Sequence, residues 1–219
     1  MAYILCIETS TTNCSVAISR DDELLSLVEE DSKKYSHAEQ LHVFINDALQ
    51  KAGINKNQLD AIAISKGPGS YTGLRIGVSS AKGLCYALDI PLISISTLKS
   101  LAAQVNDADL IIPMIDARRM EVYTQTFHAD LNALTEIEAK ILDESSFNKI
   151  LDNSKKVCFI GNGVEKFKAI CTQTENAEFV SSNPSAKQMY KLAIEKMKKG
   201  LHEDVAYFEP FYLKDFVGG

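Results

Sequence analysis

The sequence predicts an α/β protein built as two similar lobes, each with a mixed sheet and flanking helices. Three observations predict it. In the first half, apolar runs of strand length and helical periodicity alternate in the order βββαβαβα. The second half opens with a comparable order of elements without sharing the first half's sequence. Between one apolar strand and one long helix lies a glycine-rich loop, a connection typical of α/β units.

Tyr3 to Glu8 is an apolar strand that stops at the polar run Thr9-Ser10-Thr11-Thr12-Asn13. Ser15 to Ser19 and Glu23 to Glu30 continue it as a meander, with Asp21-Asp22 as the turn. Ser36-His37-Ala38-Glu39 reads as a capping box, a serine N-cap with glutamate at N3. Leu41, Phe44, Ile45, Ala48, Leu49 and Ala52 then recur at helical spacing up to Gly53. Leu59 to Ile64 is a buried strand, Thr72 to Leu88 a helix with Ser70 or Thr72 as N-cap, Pro91 to Ser96 a strand, and Thr97 to Val105 a helix.

In the second half, Leu110 to Ile115, Glu121 to Phe127 and Glu136 to Leu142 read as strands. Ser145 to Leu151 is a short helix, and Val157 to Ile160 is a strand running into Gly161-Asn162-Gly163 and a further helix. Pro184 to Lys199 is the last clear helix, followed by an aromatic tail from Asp204 to Phe216. The repeated order suggests a ribonuclease-H-like duplication. The expected boundary divides the chain into residues 1–105 and 106–219, with the tail 204–219 packing back on the first lobe.

With 219 residues, 46% of them hydrophobic and 24% charged, the chain has ordinary globular composition. Its net charge of −6 signals no broad basic face for nucleic acid. No apolar run approaches the length of a membrane span, and the run after Met1 reads as a strand rather than a secretion signal. The five cysteines form no CxxC pair, and Cys6, Cys85 and Cys158 sit in apolar segments. Buried free thiols in a reduced cytoplasm are the expectation.

The loop Lys66-Gly67-Pro68-Gly69-Ser70-Tyr71-Thr72-Gly73-Leu74-Arg75 suits an anion at a helix N-terminus. Yet a Walker motif would need lysine and a hydroxyl residue after Gly73, where Leu74 and Arg75 stand, and GxGxxG would need glycine at Thr72. A tight turn with a close-packed helix is the alternative. Glu8, at a strand end beside Thr9 and Ser10, could hold a hydrated metal or position water; a solvated turn is the simpler reading. His37 and His42 point roughly 140° apart on a helix, so no histidine metal pair is expected. Asp116, Arg118, Arg119 and Glu121 read as a salt-bridged turn.

The helix after the loop carries Gly73, Gly77 and Ala81 on one face. Each interior glycine costs a helix about 0.8–1.0 kcal/mol against alanine, so a close backbone contact must offset it. The partner is the protein's own sheet, a helix of another subunit, or both on different sides, since Ile76, Leu84 and Leu88 supply a second stripe. Leu41, Phe44 and Ile45 on the preceding helix, with Gly73, Ile76, Gly77, Ser80 and Ala81, form the expected interface surface, the two helices lying side by side.

Lys66 to Gly77, followed by Ala81-Lys82-Gly83-Leu84, resembles the signature of the TsaB (YeaZ, glycoprotease-like) family. Weaker blocks follow in family order: Ile7-Glu8-Thr9-Ser10, His37-Ala38-Glu39-Gln40-Leu41, Asp116 to Tyr123, and Pro210-Phe211-Tyr212-Leu213-Lys214. The resemblance covers nearly the whole chain. It implies the actin-like ATPase (ASKHA) fold of the sugar kinase superfamily. It also implies a non-catalytic role in tRNA threonylcarbamoyladenosine synthesis, beside the transferase TsaD and the ATPase TsaE. The implied states are a heterodimer with TsaD and a homodimer when alone, with tRNA reached through the complex. ATP or ADP would bind at the complex interface, and the lone chain would hold no cofactor tightly.

The resemblance also places a metal-binding HxxxH of the catalytic relative after its glycine loop, where this chain has no histidine from Gly73 to Gln104. Superfamily ATPases usually carry Asp and a nearby Gly in the first phosphate hairpin. Here Glu8 and Thr9-Ser10-Thr11-Thr12 stand instead. The rival readings are an ATP-dependent small-molecule kinase and a peptidase, and neither a glycine-bearing phosphate hairpin nor a zinc or Ser-His-Asp motif is visible for them.

Overall fold

The computed structural model describes residues 1–31 and 37–214. The chain divides into two compact units, Met1–Ser100 with Pro184–Gly219, and Leu101–Asn183.

The first unit is built on β1 (Tyr3–Glu8), β2 (Asn13–Arg20), β3 (Glu23–Asp31), α1 (His37–Ala52), β4 (Ala61–Gly67), α2 (Tyr71–Leu88), β5 (Leu92–Ser96) and the start of α3 (Thr97–Ala102). This is the order predicted from the sequence. Its sheet runs β3-β2-β1-β4-β5. The first three strands form an antiparallel meander, whereas β4 is parallel to β1 and β5 to β4. The apolar run of β1 explains its central place, since all but Tyr3 are buried. Leu5, Ile7, Val16, Ile62 and Ile64 meet Leu41, Ile45, Leu49 and Val78 of α1 and α2 in one core. The Ser36 side of the expected capping box lies outside the described residues.

In the second unit, β6 (Leu110–Asp116), β7 (Glu121–Thr124), β8 (Phe127–His128), β9 (Glu138–Ile141), α4 (Asn148–Asn153), β10 (Val157–Ile160), α5 (Val164–Lys168) and β11 (Ala177–Val180) follow. The sheet order is β11-β10-β6-β7-β9, with β8 also on β6. The single strand expected from Glu121 to Phe127 breaks at Gln125 and Thr126, which turn to bond Thr135. Phe147, Phe159, Phe167 and Phe179 form its aromatic core, Phe159 and Phe167 with centroids 4.8 Å apart.

The last helix, α6 (Met189–Lys198), belongs to the first unit and not to the second lobe, as the sequence-based boundary had it. Packing is the reason: α6 lies on β5 and β1, and Lys196 Nζ donates to the Ser94 carbonyl at 2.7 Å. The tail from 204 to 214 returns to the same unit. Lys82 Nζ donates to the carbonyls of Ala206 (3.0 Å) and Phe208 (2.9 Å), and Phe211 N–H donates to the Lys66 carbonyl (2.7 Å). The cysteines are free and mostly buried, and burial pushes the Cys85 thiol up to about 12. No described helix is long and apolar enough to cross a membrane.

Candidate functional site

Parallel pairing of β1 with β4, Ile7 beside Ile64, sets the hairpin after β1 next to the glycine loop after β4. The two segments lock together. Ser70 N–H donates to the Ser10 carbonyl at 2.6 Å, and Thr9 Oγ1 donates to the Gly73 carbonyl at 2.8 Å. A methyl group at Gly73 would overlap the Thr9 carbonyl, one at Gly69 the Ser10 carbonyl, and one at Gly77 the Thr9 hydroxyl. The glycine face of α2 therefore exists to let the first hairpin approach. Of the two partners left open by the sequence, the chain's own hairpin fills that face.

Four of the loop's amides are bonded inside the protein. Gly67 N–H donates to Thr97 Oγ1 (3.2 Å), Gly73 N–H to Ser70 Oγ (3.3 Å) and Leu74 N–H to the Ser70 carbonyl (2.8 Å), besides Ser70 N–H on Ser10. A phosphate cradle needs such amides free to converge on the anion. Ser70 is the N-cap, whereas Thr72 is exposed and caps nothing. Gly67, Pro68 and Gly73 are buried, with Gly69 and Ser70 partly so. Arg75 is exposed, stacks 4.2 Å over the Tyr71 ring and donates from Nε to Tyr212 Oη at 3.2 Å.

Glu8 is fully buried, which overturns the solvated-turn reading. Its Oε1 accepts from Ser10 N–H at 2.7 Å. Burial pushes the carboxyl above its usual range, against hydrogen bonds with Ser10, Ser65 and Thr9 that pull it down. The side chain serves the turn as an acid held in the interior. Asp116 pairs with Lys166 Nζ at 2.5 Å and accepts from Arg118 N–H, a salt-bridged turn whose cation comes from α5 rather than from Arg118 or Arg119. His37 Nε2 lies 2.7 Å from the Thr11 carbonyl and His42 Nε2 3.4 Å from Ser80 Oγ, so the two imidazoles serve different partners.

The His42–Ser80 contact places α1 and α2 side by side. The surface they offer differs from the expected one. Leu41, Ile45, Gly73, Gly77 and Ala81 are buried in the unit's own core, because they face the sheet and the hairpin. Phe44, Ile76 and Ser80 are only partly exposed. The exposed face is instead carried by Val43 and Tyr86, 55% and 87% exposed, together with the small residues Ser79 and Gly83. It is a mixed face, not a continuous apolar one. Sequence reasoning missed Tyr86 and gave Thr97 and Tyr212 no contact with the loop; the exposure of Tyr86 at the end of α2 follows only once the helix is docked.

The family model "TsaD: tRNA N6-adenosine threonylcarbamoyltransferase" matches residues 30–217. Over 98% of this chain and 95% of the relative's length, the sequence is 29% identical to the tRNA threonylcarbamoyladenosine biosynthesis protein TsaB of Escherichia coli. It is 30% identical to the Bacillus subtilis TsaB over 91% of this chain and 90% of the relative. The chain belongs to the TsaB (YeaZ) family. The crystal structure of YeaZ from Pseudomonas aeruginosa superposes with a TM-score of 0.85 at 27% identity, covering 97% of this chain and all of that one. The fold is that of the actin-like ATPases, two mixed sheets with flanking helices. A TsaB-family chain that matches the TsaD family model is a relative of the transferase, and the closed glycine loop is the feature of its site that bears on chemistry.

Proposed function

We propose that this chain is a non-catalytic partner subunit in the synthesis of N6-threonylcarbamoyladenosine next to the anticodon of tRNAs reading codons that begin with A. It supports TsaD, with TsaE as the accompanying ATPase. The observation that carries the reading is the glycine loop closed on Thr9 and Ser10, with the amides of Gly67, Ser70, Gly73 and Leu74 bonded to the chain's own oxygens. A phosphate-handling subunit would keep those donors for its ligand. The absence of any histidine from Gly73 to Gln104 supports the same reading. In this reading, tRNA is reached through the complex in the cytoplasm, and ATP or ADP binds where subunits meet.

The α1–α2 face, with Val43, Ile76 and Tyr86, is the surface proposed to take the homologous face of TsaD or a second copy of this chain. One face serving two homologous partners makes the homodimer and the heterodimer mutually exclusive.

The test is reconstitution. Purified chain, tRNA and the threonylcarbamoyl donor should yield no modified adenosine; addition of TsaD should restore it, and omission of this chain should depress it. Modification by this chain alone would sink the proposal, as would full TsaD activity without it.

A further inference from the structure

β9 ends the order β11-β10-β6-β7-β9, and among the described residues no strand lies on its outer side. Its register on β7 is antiparallel, with Glu121 opposite Ile141 and Tyr123 opposite Ala139. Leu142 N–H donates to the Met120 carbonyl at 2.8 Å. Antiparallel ladders alternate hydrogen-bonded and non-hydrogen-bonded pairs. Glu138 and Lys140 therefore spend their amides and carbonyls on β7, while Ala139 and Ile141 turn theirs to the outer edge. Ile141 is 74% exposed.

Exposed edges are commonly guarded by a proline or by a charged side chain, lysine above all. β9, Glu138-Ala139-Lys140-Ile141, has no proline. Its lysine is drawn back onto the unit: Lys140 Nζ lies 3.4 Å from Glu138 Oε1 and 5.2 Å over the Phe147 ring. The strand is also its own complement. With Ala139 opposite Ala139 of a second copy, Glu138 faces Lys140 of the copy, Lys140 faces Glu138, and Ile137 faces Ile141. The residues that then exchange hydrogen bonds across the junction are those whose backbone groups point to the edge. A slip of one step toward Ile141 sets the two Lys140 opposite each other, and a slip the other way the two Glu138. β3, at the edge of the other sheet, carries Glu23, Glu29, Glu30 and Asp31 and no cation, so it lacks this complement.

We propose that β9 is an interaction surface for a second copy of this chain, the two strands pairing antiparallel about a two-fold axis at Ala139. The two sheets then run on as one. Such a contact is isologous and closes on itself. The two Glu138–Lys140 cross-strand pairs fix its register. β9 is four residues long, so the contact depends on concentration. It does not rest on the partner-subunit reading: β9 lies in Leu101–Asn183, and the α1–α2 face belongs to the other unit.

The test is sedimentation of the full chain over a dilution series, with hydrogen exchange followed at single amides. In dilute samples the Ala139 and Ile141 amides should exchange freely and those of Lys140 and Leu142 slowly; in concentrated samples all four should be protected. Lys140→Glu and Glu138→Lys each set like charges opposite one another, and each alone should self-associate roughly tenfold more weakly than wild type. A one-to-one mixture of the two variants restores opposite charges at both cross-strand pairs and should associate as wild type does. Ala139→Pro removes an edge donor that β7 does not use and should abolish the pairing. Thermal melts check folding, and the charge variants carry the test if Ala139→Pro does not fold. A chain that stays monomeric when concentrated would overturn the surface. So would self-association that leaves the Ala139 and Ile141 amides exchanging freely, the result expected of a dimer made through the α1–α2 face alone. Folded charge variants that associate like wild type, or a mixture no stronger than either variant by itself, would overturn it as well.

Discussion

Gly73 and Gly83 lie on the same helix in opposite situations. A methyl group at Gly73 would overlap the Thr9 carbonyl, a backbone atom that cannot turn aside, while nothing lies within 4 Å of one at Gly83. Gly73→Ala should therefore destabilise the protein by about 1–3 kcal/mol through overpacking. Gly83→Ala should gain up to about 1 kcal/mol from helix propensity. Urea midpoints at constant m-value would separate the two, and equal shifts would contradict the packing assignment. Glu8 adds a pH dependence at the same scale. Its folded carboxyl is raised by burial, so the folded state keeps a proton that the unfolded chain loses above its ordinary glutamate value. Its contribution is present at low pH and lost as pH rises toward the folded value. Glu8→Gln keeps an acceptor for Ser10 N–H and removes the titration. The variant should melt higher than wild type at neutral pH, with the difference shrinking toward acid; a difference that is constant with pH would refute the buried acid.

At the scale of elements, the first unit was legible because its strands and helices have strong periods. The apolar run from Tyr3 to Glu8, the i, i+3, i+4 pattern from Leu41 to Ala52 and the loop before α2 each fall where the sequence put them. The four-residue β11 was missed because Ala177–Val180 is too short to show a period. The candidate site was read in outline only. Spacing shows that Gly73, Gly77 and Ala81 share a face, but which oxygen lies against that face is set by the β1–β4 pairing. The burial of Glu8 is equally invisible to local sequence. The interface prediction moves accordingly from Gly77, which packs on Thr9, to Tyr86. Tyr86→Asp, on an exposed position, should leave the thermal midpoint within about 0.5 kcal/mol of wild type. If the α1–α2 face is the interface, the same change should weaken association with TsaD or with a second copy by about 2 kcal/mol or more. Sedimentation of the variant, alone and mixed with TsaD, decides it; wild-type association would remove Tyr86 from the surface.

On the scale of the whole molecule, the first unit is discontinuous in sequence. Residues 101–183 are a complete second unit interposed between α3 and the segment that supplies α6 and the tail. Glu203 N–H donates to the Leu92 carbonyl (2.8 Å) at the outer strand β5, and α6 lies on β5 and β1. A chain ended after Asn183 should therefore lose cooperative melting of the first unit, because β5 is left with an unpaired edge and an uncovered face. Retention of a wild-type melt by that truncation would show that α6 is dispensable. The interruption also has a meaning for the order in which the protein is made. β1 leaves the ribosome before residues 101–183, and α6 leaves it after them. A nascent chain can finish residues 101–183 while the earlier-synthesised sheet still waits for its cover, so the older half of the polypeptide is the later one to mature. During that interval the β5 edge is open to other chains, and a chaperone that shields strand edges would find a target there.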